Sequence, residues 1–147
     1  MRLFTIGFTQ KTAEKFFDLM TVNRVDLLID VRLNNKSQLA GFAKQPDLGF
    51  FLDRIGGIGY IHDPMLAPTD QLLKAYRGKE ISWAEYETEF DRIMDERGID
   101  QYIQDVYGVH SDKTVCLLCS EPTADQCHRR LIANRFATIF HSEIVHL

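Results

Sequence analysis

The sequence predicts a single α/β domain over residues 1–147, a three-layer, Rossmann-like fold with a mostly parallel sheet. Three observations carry this. Short apolar runs alternate with helical patterns along the chain, the order that builds strand–helix–strand units. Two of those runs, VDLLIDVR (25–32) and TVCLLCS (114–120), are apolar on both faces, as strands covered by helices on both sides must be. No repeat or low-complexity linker divides the chain, and 147 residues are enough to enclose one core.

RLFTIGF (2–8) is a first strand, ending near Gly7. Thr12 can cap a helix through about Met20 whose inner face is Ala13, Phe16, Phe17 and Met20. The run at 25–32 is the second strand, its apolar stretch broken by Asp30 and Arg32. Residues 33–46 form a polar loop, DLGFFLDRI (47–55) a helix, and GIGYIHD (57–63) a third short strand. PTDQLLKAYRG (68–78) is a short helix closed by Gly78. Ser82 and Glu85 make a capping box ahead of a helix with Trp83, Tyr86, Phe90, Ile93 and Met94 on one stripe, stopped at Gly98. A further helical turn covers 99–106. TVCLLCS is the fourth strand, ADQCHRRLIANRFATIF (124–140) a helix, and SEIVHL (142–147) a terminal strand.

Composition narrows the function classes. A net charge of −4 argues against a sequence-independent nucleic-acid binder, which needs a basic surface, although a local basic cluster could still act. No apolar run approaches the roughly 18 residues that a membrane span needs. Three cysteines, an odd number between 116 and 127, do not read as a secreted disulfide framework, and the N-terminus lacks a signal-peptide pattern. The expected location is cytoplasmic.

In parallel sheets ligands bind beyond the carboxyl ends of the strands, and the polar residues gather there. The segment CLLCSEPTADQCHRR (116–130) follows the fourth strand. Cys116 and Cys119 lie three apart on that strand and face opposite sides, so Cys116 reads as a core residue and the apparent Cys-x2-Cys pair is split. No metal and no cofactor is expected, though a set of Cys119, Cys127 and His128 survives as an alternative. A phosphatase loop is excluded, because Asp125 stands where Cys-x5-Arg counted from Cys119 requires arginine. A thiol near a helix N-terminus and beside guanidiniums can be a nucleophile. On a regular helical wheel, however, Cys127 points away from the core face that His128 and Arg129 flank. That wheel fails if Cys127 is a cap residue.

The most economical reading is an anion pocket. Arg32, Asn34, Ser120 and Arg129 bind the substrate, and Asp30, Glu121, Cys127 and His128 are candidate catalytic groups. Structural alternatives stay open beside it: Asp30 and Arg32 as a loop-ordering ion pair, Glu121 as an acceptor for loop N–H groups, His128 as a core histidine, and the Trp83 stripe as packing.

Taken together, TIGFT, LLIDVRLNNKSQLAGF, GIGYIH…LAPT, ISWAEYE and VCLLCSEPTADQCHRRLIA resemble the bacterial and archaeal family known as domain of unknown function 488, over about residues 2–140. Within it the sequence resembles the branch with Leu33-Asn34-Asn35 after Asp-Val-Arg. Phe8 stands where other branches carry a histidine. The resemblance implies an α/β fold and marks Asp30, Arg32, Cys119, Ser120, Glu121, Cys127, His128 and Arg129 as shared motif positions. It implies no reaction. The expectation is an enzyme, a hydrolase or group transferase, acting on a small phosphorylated or nucleotide-like substrate. A non-catalytic nucleotide or nucleic-acid module and a Cys/His metal protein are the alternatives.

Overall fold

The computed structural model describes residues 1–36 and 41–147. Five parallel strands, β1 (Arg2–Gly7), β2 (Leu27–Asp30), β3 (Gly59–His62), β4 (Thr114–Cys119) and β5 (Ile144–His146), form one sheet in the order β3-β2-β4-β1-β5. Helices α1 (Ala13–Val22) and α2 (Asp47–Gly56) cover one face. On the other lie α3 (Asp70–Arg77), α4 (Trp83–Glu96), α5 (Ile99–Tyr107) and α6 (His128–Phe140).

Strand alternation divides the core in two. Phe4, Ile6, Leu28, Cys116 and Leu118 meet Phe16, Phe17 and Met20 of α1 and Leu48 and Leu52 of α2. Leu3, Leu27, Ile29, Val115, Leu117 and Cys119 meet Tyr86, Phe90, Ile103, Ile132 and Phe136 from the α4–α6 side. Cys116 and Cys119 thus lie in different cores, as their spacing predicts.

Most helix ends follow the local chemistry. Thr12 accepts from the Lys15 backbone N–H, and the Ser82–Glu85 capping box forms in full. Gly98 takes φ +62° after the end of α4, a left-handed conformation that costs glycine least. The last long helix starts later than the sequence pattern suggests. Residues 120–126 are loop, and Cys127 is the extended N-cap of α6 at φ −138°. The helical wheel therefore does not apply to Cys127, which is buried rather than outward-facing.

The strand order fixes where a cleft can open. The connections after β1 and β2 run over the α1–α2 face, and those after β3 and β4 over the other. β2 and β4 are neighbours whose following segments leave in opposite directions, and such a switch point leaves a crevice at the carboxyl ends. No described helix is long and apolar enough to cross a membrane.

Candidate active site

A cleft opens at that switch point. Its walls come from the segment after β2 (Arg32, Leu33, Asn34), the end of α3 (Leu73, Tyr76, Arg77), the start of α4 (Trp83, Tyr86) and the segment after β4 (Ser120, Glu121, Gln126). Cys119, Cys127 and His128 line its floor. Of the eight residues the sequence nominates, Arg32, Asn34, Ser120, Glu121, Cys127 and His128 line the cleft; Asp30 and Arg129 lie behind it.

Asp30 ends β2 fully buried, with both carboxylate oxygens occupied. Oδ1 accepts from the Arg32 backbone N–H and from Arg32 Nε at 2.8 Å, and Oδ2 accepts from Arg32 Nη2 at 2.7 Å and from the Tyr60 hydroxyl at 2.6 Å. This bidentate pair sets the guanidinium in one plane. Arg32 Nη2 also donates to the Ala43 carbonyl, and the guanidinium carbon lies 5.1 Å from the centre of the Phe8 ring. Nη1 makes no hydrogen bond among the described residues, and Arg32 lines the cleft. Burial opposes its charge, but the hydrogen bonds and charge of Asp30 outweigh burial and raise the Arg32 pKa.

Arg129 is completely buried at the second turn-forming position of α6. Its Nη1 donates to the Glu121 carbonyl at 2.6 Å and to Cys127 Sγ at 3.5 Å, and its Nε donates to Thr5 Oγ1 at 3.4 Å. Glycine at position 7 makes this possible, since a Cβ there would stand 1.6 Å from the Glu121 carbonyl oxygen. The guanidinium is therefore committed to fixing the loop after β4. The backbone oxygen of Glu121 faces inward while its side chain is exposed at the cleft.

On the floor, Cys119 ends β4 and Cys127 and His128 open α6. His128 Nε2 lies 2.7 Å from the Val31 carbonyl, which only accepts, so Nε2 carries a proton; Cys119 Sγ lies beside the ring, 3.7 Å from Nδ1 and 3.8 Å from Nε2. The three potential ligand atoms lie within 4.8 Å of one another.

The match to a family model described as "Domain of unknown function DUF488", over residues 12–136, decides the kinship. The chain belongs to the DUF488 family. No curated protein and no solved structure matches it.

Electrostatics separate the two thiols of this DUF488 chain. The hydrogen bond from the Cys127 thiol lowers the Cys119 pKa against the opposing effect of burial, helped by the Ser120 backbone and the Arg129 charge. Cys127 is pushed up, first by donating that hydrogen bond and then by burial. Burial pushes the Cys116 thiol up on the far face.

The sequence nominated none of the aromatic wall. Trp83 and Tyr86 are stacked with centroids 5.1 Å apart, and Tyr76 meets them at 5.6 and 5.0 Å. The Arg130 guanidinium lies over Trp83 at 5.9 Å and pairs with Glu87. The same stripe that packs α4 on the sheet emerges at its first turn as a cleft wall. The local signal was there in Tyr76-Arg77 and Trp83, but only tertiary structure brings the end of α3 against the start of α4.

Proposed function

We propose that this DUF488 domain is an enzyme that carries out hydrolysis or group transfer on a small phosphorylated, nucleotide-like substrate. One observation carries the reading: a single cleft joins an aromatic wall and two guanidiniums to a floor of thiol and imidazole. Tyr76 and Trp83 offer ring faces to a flat group, and stacking of a base on an aromatic side chain contributes about 1–3 kcal/mol. Arg32 Nη1 and the exposed Arg77 supply the phosphate contacts, with Asn34 and Ser120 as neutral partners.

The remaining roles follow from access. Glu121 is the carboxylate that faces the cleft, and it moves the proton. Asp30, with all its lone-pair directions filled by Arg32 and Tyr60, is a positioning residue that acts through Arg32. Arg129 holds the Glu121 loop and biases the thiols, in place of the direct anion contact expected from sequence. Cys119 presents an electron pair at the base of the cleft, with Cys127 and His128 around it.

The test is a titration of the full chain with nucleoside monophosphates, sugar phosphates and inorganic phosphate, read as a melting shift, followed by product analysis on those that bind. A nucleotide should raise the Tm, and Trp83→Ala and Arg77→Ala should each weaken it about tenfold or more, in keeping with a lost stacking or charge-assisted contact. Undiminished binding in both variants, or no stabilisation by any phosphorylated compound, overturns the reading. An oligonucleotide that binds far more tightly than a mononucleotide, with a steep salt dependence, would instead make this a nucleic-acid module.

A further inference from the structure

The floor of the cleft has the geometry of a cation site. Four-coordinate zinc, with bonds of about 2.3 Å to sulfur and about 2.0 Å to nitrogen, holds neighbouring ligand atoms about 3.5–3.8 Å apart. Cys119 Sγ lies 3.7 Å from His128 Nδ1 and 3.8 Å from Nε2, and one ligand atom from each of Cys119, Cys127 and His128 lies within 4.8 Å of the others. Side-chain rotation would be needed to aim Nδ1 and the two sulfurs at one ion.

Three further observations point the same way. A ligating imidazole is typically oriented by its other N–H, given to a carbonyl or carboxylate, and His128 Nε2 is given to the Val31 carbonyl. The three residues also sit at the ends of rigid elements, Cys119 closing β4 and Cys127 and His128 opening α6. The Arg129 guanidinium, 3.5 Å from Cys127 Sγ, offsets the negative charge that a second thiolate would bring.

We propose that Cys119, Cys127 and His128 bind one zinc-class divalent cation, leaving its fourth coordination position open to the cleft. Thiolate and imidazole together select such borderline-soft ions over magnesium or calcium. Each coordinating thiol releases its proton to solvent as the metal takes its place. Three protein ligands with an open fourth position is the arrangement of catalytic rather than structural zinc, and here that position faces the wall of Ser120, Glu121 and Gln126. Water or a substrate oxygen would complete the tetrahedron. The missing fourth protein ligand is why the split Cys116–Cys119 pair does not rule out metal: Cys116 is not needed.

Cobalt(II) titrated into the reduced, metal-stripped full chain tests this. One equivalent should give intense tetrahedral visible bands together with thiolate-to-cobalt charge transfer, and zinc should displace it. Cys116→Ala should retain the spectrum. Cys119→Ala and Cys127→Ala should lose it, and His128→Gln should weaken or alter it, each in protein that still shows a cooperative melt. Because a floor variant can fail to fold, a second readout uses the unaltered chain: zinc, but not magnesium, should raise its Tm. Absence of the tetrahedral spectrum at one equivalent, or its persistence in both Cys119→Ala and Cys127→Ala, overturns the proposal. The substrate reading fails separately. If phosphorylated compounds never bind while the cobalt spectrum follows these variants, only the substrate assignment falls.

Discussion

The side chains with most consequence around the cleft are those that never touch it. Asp30 is fully buried and, among the described residues, its ion-pair partner is Arg32, so truncating it leaves an uncompensated buried guanidinium. Removing one partner of such a pair costs about 3–5 kcal/mol. Asp30→Ala should lower the urea-unfolding free energy by about that amount. Tyr60→Phe, which deletes one hydrogen bond to the same carboxylate, should cost only about 1 kcal/mol. Equal losses in the two variants would show that the carboxylate is not the centre of this network. The comparison also bears on function, because a sequence reading that treats Asp30 as an acid or base predicts lost turnover in a folded protein. The geometry predicts lost stability together with a mispositioned Arg32.

At the scale of elements, the helix ends show how local and tertiary information divide. Ser82 accepts from the Glu85 backbone N–H, and the Glu85 carboxylate returns the bond to the Ser82 N–H. Those hydrogen bonds also hold the Glu85 pKa down. Both partners lie within four residues, so this cap was legible in the sequence. Ser82→Ala should destabilise the protein by about 1 kcal/mol, measured as a lower urea midpoint with unchanged slope; a change below a few tenths would contradict the cap's role. The start of α6 is the opposite case. Nothing local stops a helix from beginning at Ala124. The later start depends on Arg129 reaching back to the Glu121 carbonyl across the space left by Gly7. The strands and their polar ends were readable because apolar runs and their breaks are local patterns. The burial of Arg129, the position of Cys127 at the helix cap, and the meeting of Tyr76 with Trp83 each depend on segments far apart in sequence, and no periodicity encodes them.

Over the whole molecule, one buried and two half-buried phenols tie stability to alkaline pH. Burial first, then the charge of Asp30 and the hydrogen bond to it, raises Tyr60 to about 12. Tyr102 is raised to about 12 by burial and by Asp63, and Tyr107, donating to the same Asp63 oxygen at 2.7 Å, is pushed up as well. The two anchors lie on opposite faces of the sheet: Asp30–Tyr60 ties β2 to β3, and Asp63 ties the segment after β3 to α5. A phenol whose folded pKa lies above its unfolded value of about 10 binds its proton more tightly in the native state. Its contribution is complete below pH ~10 and is lost as pH climbs through about 12. Urea unfolding should therefore give a falling stability between these limits. In Tyr60→Phe the starting value should be lower and the fall shallower, because one of the titrating phenols is gone. A wild-type profile that stays level to pH 12, or a Tyr60→Phe profile with the full wild-type slope, would show that the Asp30 network does not hold this proton.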